Sequence, residues 1–383
     1  MTWVILALIP VALAISAPLC AGLVWLGHRW QTFDSGGVQG QIKDRSRRVP
    51  NTGGIAIFWA IVLPIVGVVA ASLIFGSLPG PADDAVSFVI SKAPLAAVLL
   101  ACLLTLHLLG VVDDRRPLPA IPKLVLMIAP ALAAPLLTDT RLLTALDTFA
   151  GGPWLSIVLT AIWFVAITNA VNFLDNMDGL AGGITLIAAS VLLVVTIEKS
   201  QWLLAGCLAL AIGACAGFLL FNAPLPGRSG ARLFMGDGGS LVLGFLLAFV
   251  TVRVTYFDPR VPQASHLHAL ALPLCVLAVP IYDCVVVTCI RLWNGRSPLV
   301  GDMNHASHRL VRRGLSRTAA VYVLWGLTAL TAGAGWLLAR ADGWAAWTIA
   351  GAMVIALAGV AITEWVLPAP QPTNGRAARE ESR

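Results

Sequence analysis

Charge is scarce in this sequence: Asp, Glu, Lys and Arg make up 11% of 383 residues, against 58% hydrophobic, where a soluble domain carries roughly 25% charged residues. That scarcity excludes an ordinary soluble fold. Paired cysteines are missing as well. Cys20, Cys102, Cys207, Cys215, Cys275, Cys284 and Cys289 all lie in apolar runs and none forms a Cys-x-x-Cys pair, which excludes a disulfide framework and a zinc site and leaves them as small buried apolar residues. No basic residue precedes the first apolar run, and His28-Arg29 follow it. A cleaved signal peptide is therefore not expected; the run reads as a retained helix with an outside N-terminus. Internal repeats of the kind that build secondary transporters are also absent.

What the sequence does have is a succession of long apolar segments, at 3 to 26, 53 to 75, 93 to 112, 120 to 137, 153 to 170, 179 to 197, 202 to 221, 239 to 254, 269 to 290, 318 to 339 and 344 to 367. They predict an all-α polytopic membrane bundle of about eleven helices across a hydrocarbon core of about 30 Å. The expected organisation is one membrane domain over 1–367 and a disordered cytoplasmic tail over 368–383, rich in Pro, Arg and Glu. Lys and Arg divide 19 against 6 between alternate sides. The richer side is the cytoplasm by the positive-inside rule, which puts the C-terminus inside. The net charge of +6 is thus explained by topology, and no nucleic acid is expected as a partner.

Four polar stretches fall on that cytoplasmic side. In Asn169-Ala-Val-Asn-Phe-Leu-Asp-Asn-Met-Asp-Gly-Leu180, the residues Asn169, Asn172, Asp175 and Asp178 recur every three positions, so in a helical or 3₁₀ turn they drift only about 60° per step and form one polar strip. Such a strip suits a metal or a phosphate. Carboxylates at mid-bilayer cost roughly 2.5 to 3.5 kcal/mol each, which places these acids at the aqueous edge, facing a cavity. Asp113-Asp114-Arg115-Arg116 directly follows the third span; adjacent acids there serve either as a base and metal contact or as a charged stop to the helix.

Phe234-Met-Gly-Asp-Gly-Gly-Ser240 sets one carboxylate in a glycine-rich turn before an apolar helix. Glycine permits close backbone approach, and the helix N-terminus favours an anion, so Asp237 suits a Mg²⁺ bridging to a diphosphate. Phe234 either stacks on a base or packs. Gly301-Asp-Met-Asn-His-Ala-Ser-His-Arg-Leu310 brings His305, His308 and Arg309 within a turn or so, a set suited to diphosphate oxygens. His28, His107, His266 and His268 lack such company and read as structural. The segment from Lys43 to Gly54 joins four cations to a Gly pair at a helix start, gripping a phosphate or anchoring the span. Asp283 lies inside the ninth span, where its desolvation calls for a cation across the bundle as its partner.

In order, Arg48-Val-Pro-Asn-Thr-Gly-Gly54, Asp113-Asp114, Asn169-x-x-Asn-x-x-Asp-x-x-Asp-Gly-Leu180, Phe234-Met-Gly-Asp-Gly-Gly-Ser240 and Asp302-x-x-His-x-x-His-Arg-Leu310 resemble the polyprenyl-phosphate N-acetylhexosamine-1-phosphate transferases of glycosyltransferase family 4. The resemblance covers residues 40 to 317 and is nearest the bacterial branch acting on undecaprenyl phosphate. It implies transfer of N-acetylglucosamine-1-phosphate, or a related sugar phosphate, from a UDP-sugar to undecaprenyl phosphate with release of UMP. That reaction opens cell-envelope polysaccharide synthesis, lipopolysaccharide or teichoic acid, at the cytoplasmic membrane. Family roles carried onto matching positions give Mg²⁺, or Mn²⁺ in its place, to Asp237 and Asn172. Asp113 or Asp114 deprotonates or orients the lipid phosphate, with Asp178 counted among the catalytic acids. Asp175 and Asp178 meet the nucleotide sugar or position the metal; Arg48, Asn169, Phe234, His305, His308 and Arg309 complete substrate binding. A homodimer is compatible with this reading. The chain departs from the pentapeptide-transferring member at His305-Ala-Ser-His-Arg309, where that member has consecutive His, and at Arg115-Arg116-Pro117, where that member has a Lys. The alternatives are that pentapeptide substrate, another UDP-sugar or, in a different class, a lipid-linked sugar transporter.

Overall fold

The computed structural model describes residues 1–33, 49–76, 81–224, 230–254, 271–298, 301–341 and 344–365. Arg48 and the expected tail at 368–383 lie outside them. Within the described residues the protein is helical, with only two isolated β-bridges, Phe33 to Pro50 and Asn51 to Phe234. Among the described residues, ten helices are long and apolar enough to cross a membrane: Thr2–Trp30, Gly53–Phe75, Asp84–Arg115, Ala120–Thr138, Trp154–Leu174, Leu180–Glu198, Trp202–Asn222, Asp237–Val254, Arg317–Leu338 and Trp344–Thr363.

The ninth expected segment does not join them as one continuous rod. Its helix breaks at Leu277, and Ala278–Trp293 restarts as a separate helix of 16 residues. Pro280 is the reason: it has no N–H to offer the carbonyl four residues back, and its ring would clash there. Three residues into a new helix the missing N–H is an orphan in any case. The apolar run read from the sequence is real, but proline divides it. A second difference concerns the acid pair, which the sequence placed after the third span. The helix runs on to Arg115, so Asp113 and Asp114 belong to its last turn.

Burial ranks the helices. In Asp237–Val254 every residue except Asp237 and Arg253 is buried, so this helix is the axis of the bundle and its two charged residues mark its ends. Gly53–Phe75, Pro81–Arg115, Trp154–Leu174 and Leu180–Glu198 pack around it. Phe245 stacks on Phe164 with ring centroids 4.9 Å apart. At the far end Arg253 donates to Thr140 Oγ1 at 2.9 Å, and Lys199 Nζ donates to the Val254 carbonyl at 2.7 Å. By contrast, the Trp344–Thr363 window is 6% buried, as expected of an apolar helix whose surroundings are lipid.

Two glycines set how closely the neighbours approach the axis. A Cβ on Gly54 would lie 2.2 Å from the Gly239 nitrogen, and one on Gly110 would lie 2.4 Å from the Asp237 carbonyl carbon. Helices two and three therefore meet the start of the axial helix backbone to backbone. Gly54→Ala should lower the unfolding midpoint in detergent, with an overpacking cost of roughly 1 to 3 kcal/mol. Gly67→Ala, on the same helix with open space around the added methyl, should leave the midpoint unchanged or raise it slightly. Equal midpoints for the two variants would remove close packing as the reason for Gly54.

Candidate active site

The site grows from the first turn of the axial helix. Gly236 has φ +71°, a left-handed turn that glycine adopts without strain, and a Cβ there would lie 2.5 Å from Asp114 Oδ2. The turn points the Asp237 and Gly238 N–H groups at Asp114, which accepts them at 3.0 and 3.2 Å. Asn51 Nδ2 also donates to Asp114 Oδ1, at 3.0 Å. With three donors on it, Asp114 acts as a helix cap supplied by a neighbouring helix, its negative charge set against the positive end of the axial helix. Charge-assisted hydrogen bonds of this kind contribute about 1.5–3 kcal/mol each.

The glycine-rich turn is held from three other directions. The Gly53 and Gly54 N–H groups donate to the Phe234 and Met235 carbonyls at 2.8 Å each, and the Phe234 N–H donates to the Pro50 carbonyl at 2.9 Å. Below it, His107 Nδ1 donates to the Gly238 carbonyl at 2.8 Å, with its ring stacked 4.1 Å from Phe58. Ser240 Oγ donates to the Gly236 carbonyl at 3.1 Å. His107, read from the sequence as merely structural, thus braces the turn that carries Asp237.

Asp113 faces differently. Its Oδ1 accepts the Leu118 N–H at 2.7 Å and its Oδ2 accepts Lys123 Nζ at 3.0 Å. The same ammonium is paired with Asp237 Oδ2, while Asp237 Oδ1 accepts Asn172 Nδ2 at 2.9 Å. Lys123 therefore bridges Asp113 on one helix to Asp237 on another. From the sequence it counted only towards topology, and the place of a lysine after the acid pair was read as taken by Arg115-Arg116-Pro117. The short Pro117-Leu-Pro119 connection turns the chain back at once, so a residue ten positions on reaches Asp113. Three carboxylates and one ammonium leave the cluster formally at minus two.

The strip expected from Asn169 to Asp178 does not stay on one face. The helix ends at Leu174 and Asp175 is its C-cap, so the three-residue spacing loses its meaning there. Asn172 Nδ2 reaches Asp237 Oδ1. Asn169 Nδ2 donates back to the Val165 carbonyl at 2.8 Å. Asp178 Oδ2 accepts the Ala231 N–H at 2.9 Å, and Asn222 spans the same gap, accepting the Gly179 N–H at 2.7 Å and donating to the Leu233 carbonyl at 2.8 Å. Asp178 is thereby one of the ties that hold the segment leading into Phe234.

A second polar cluster lies on the histidine loop. Asp283 is buried, accepting His305 Nδ1 at 2.7 Å and the Ala306 N–H at 2.6 Å. The partner expected across the bundle is thus a histidine ring with a backbone amide. Ser307 Oγ donates to Asn176 Oδ1 at 2.6 Å, tying this loop to the turn after Asn172. Arg291 donates to Asp302 Oδ1 at 3.1 Å and to the Pro298 carbonyl at 2.7 Å. Burial alone would raise the Asp302 pKa, but Arg291 and the Asn304 N–H hold it below the usual carboxylate range. His308, its ring 6.5 Å from that of His305, is lowered to about 4, first by burial and then by His305, Arg312 and Arg317. Arg309 is buried and donates to the Asn304 carbonyl.

Among the described residues no three His, Cys, Asp or Glu side chains are arranged as a ready metal cage. Mg²⁺ does not require one, since it takes one or two carboxylates with phosphate oxygens and retains water. Asp237, Asp113 and the amide of Asn172 fit that demand, and the Lys123 ammonium seated between Asp113 and Asp237 shows that these oxygens accept positive charge.

Comparison with known proteins places the chain in a family. The family model described as glycosyl transferase family 4 matches residues 96–255, the span that supplies Asp113, Asp114, Lys123, Asn172 and Asp237. A protein of Bacillus subtilis named as a probable undecaprenyl-phosphate N-acetylglucosaminyl 1-phosphate transferase is 28% identical over 295 residues, 74% of this chain and 71% of the relative. The decaprenyl-phosphate N-acetylglucosaminephosphotransferase of Mycolicibacterium smegmatis is 31% identical over 296 residues, 72% of this chain and 68% of the relative. The undecaprenyl-phosphate alpha-N-acetylglucosaminyl 1-phosphate transferase of Escherichia coli K12 is 27% identical over 251 residues, 63% of this chain and 65% of the relative. The chain belongs to glycosyl transferase family 4.

Proposed function

We propose that this protein transfers N-acetylglucosamine-1-phosphate from UDP-N-acetylglucosamine to undecaprenyl phosphate at the cytoplasmic face of the cytoplasmic membrane, releasing UMP. The observation that carries the reading is Lys123 held between Asp113 and Asp237 at the exposed end of a buried helix. The names of the relatives support the sugar and the acceptor. The excess of Lys and Arg in alternate loops supports a cytoplasmic site and an outside N-terminus.

Phosphoryl transfer asks the protein for position and for positive charge around the transferring group. Lys123 supplies a fixed ammonium beside the phosphoryl oxygens, and Asp113 and Asp237 hold it in place. Asp113, one of whose oxygens is anchored by the Leu118 amide, orients the acceptor phosphate or takes its proton. Asp114 is committed to the cap and is the weaker candidate for that task. Asp237 and Asn172 would hold Mg²⁺, or Mn²⁺ in its place, which when bound neutralises developing charge on the diphosphate. His308 is neutral at pH 7, so it meets the donor as a hydrogen-bonding ring and not as a cation. A transporter would need its polar groups spread along a path through the bilayer. Here the acid cluster and the glycine turn are joined at one end of the axial helix, which favours the enzyme.

Purified protein with undecaprenyl phosphate, UDP-N-acetylglucosamine and Mg²⁺ should release UMP, and chelation should stop it. Lys123→Met and Asp237→Asn should each reduce kcat by about 10²- to 10³-fold, the scale of losing one preorganised charge at a transition state. Wild-type turnover in a folded Lys123→Met protein would sink this reading of the site.

A separate prediction concerns pH. Because the folded pKa of His308 is about 4 and an unperturbed histidine titrates near 6.5, the unfolded chain takes up the proton first as pH falls. Stability contributed by the neutral ring is therefore lost between pH 6.5 and about 4. The unfolding midpoint should fall across that window, and His308→Gln should blunt the fall. An unchanged slope in the variant would contradict the lowered pKa.

A further inference from the structure

The acid cluster absorbs Asp113, Asp114 and Asp237, but one ionisable side chain with no part in it is more deeply buried than any of them. Asp283 is 0% exposed, on the helix that restarts after the proline break. Both of its oxygens are committed to the histidine loop. Oδ2 accepts His305 Nδ1 and Oδ1 accepts the Ala306 N–H, so ring and backbone are gripped together.

The surroundings remove the remaining freedom of the ring. Phe173 meets His305 edge-on, with centroids 6.0 Å apart and planes at 62°. Arg291, further along the same helix as Asp283, lies over Phe173 at 5.5 Å and donates to Pro298 and Asp302 at the entry to the loop. The His305 side chain keeps 7% of its surface exposed.

Imidazole has two neutral tautomers, and which nitrogen carries the proton is set by the hydrogen bond made by the other. A carboxylate can only accept, so with Asp283 on Nδ1 the proton stays on Nδ1 and Nε2 is the nitrogen left to work. We propose that Asp283 is a positioning residue for the transfer reaction: it holds His305 in one orientation and one tautomer, with Nε2 presented to the sugar-nucleotide donor. This rests on the reading above that the histidine loop serves the donor.

A purely structural staple makes a different prediction, because asparagine is isosteric with aspartate and satisfies the same two contacts. In Asp283→Asn the amide oxygen still accepts Ala306 N–H, but the amide nitrogen must donate to Nδ1, which moves the proton to Nε2. The fold is retained and the tautomer is reversed. The experiment pairs steady-state kinetics on UDP-N-acetylglucosamine with ¹⁵N-histidine NMR, His305→Gln identifying the signal. The expected result is a protonated Nδ1 in wild type and a protonated Nε2 in Asp283→Asn. The unfolding midpoint should stay within a degree or so of wild type, and kcat/KM should fall about 10- to 100-fold, the scale seen when a partner orienting a functional imidazole is lost. The double variant with His305→Gln should lose no more than His305→Gln alone, since the two act as one unit.

Impaired His305→Gln beside fully active Asp283→Asn overturns the positioning role and leaves the donor assignment standing. Fully active His305→Gln overturns the donor assignment of His305 and the proposal with it. A wild-type His305 protonated at Nε2 overturns the proposal even if Asp283→Asn does not fold.

Discussion

The arrangement depends on a charge at the end of a buried helix. Asp237 opens a helix whose next fifteen residues are all buried, so its carboxylate is fixed to within the small freedom of a packed core. Such an acid at a membrane edge is tolerated only with partners, and the partners come from three other helices: Lys123, Asn172 and, through the backbone, Asp114. Each requires its own helix at a definite depth and rotation. The glycines at 54, 110 and 236 follow from the same demand, because each lets a neighbour approach this turn to a distance that a Cβ would forbid.

Much of this was legible in the sequence, and the reasons for the exceptions are physical. Long apolar runs against a lipid core need no tertiary information, so ten spans were readable from hydropathy. Asp237 and Asn172 were each readable as polar groups because no apolar setting explains them, but only the family resemblance paired them, and in the structure they touch. Lys123 was not, because a lysine just inside a membrane span satisfies the positive-inside rule and carries no sign that it turns back to an acid ten residues earlier. Asp114 looked like Asp113, since only the partner set separates a cap from a reactive carboxylate. The strip from Asn169 runs past the end of its helix: Asp175 is the C-cap and its N–H turns back onto the Asn172 carbonyl, so helical spacing covers only Asn169 and Asn172. The ninth segment is helical on both sides of a break at Leu277; Pro280 was visible in the sequence, but hydropathy alone does not register such a break.

The two polar clusters differ in how they are supported, and that difference bears on what each can do. The acid cluster is carried on long helices that meet in the core, so its groups are preorganised whether or not a substrate is present, as electrostatic stabilisation of a transition state requires. The histidine cluster is carried on a loop and a helix of seven residues, Ala306–Arg312, and borrows its rigidity from Asp283 and Arg291 on the helix beside it and from Asn176 through Ser307. Asn176 stands four residues after Asn172, so the histidine loop is referenced to the segment that holds Asp237. A displacement of that turn would be felt at both clusters. The two clusters are therefore coupled through a short polar connection at the membrane edge, with the apolar bundle serving as the fixed frame against which that connection is set.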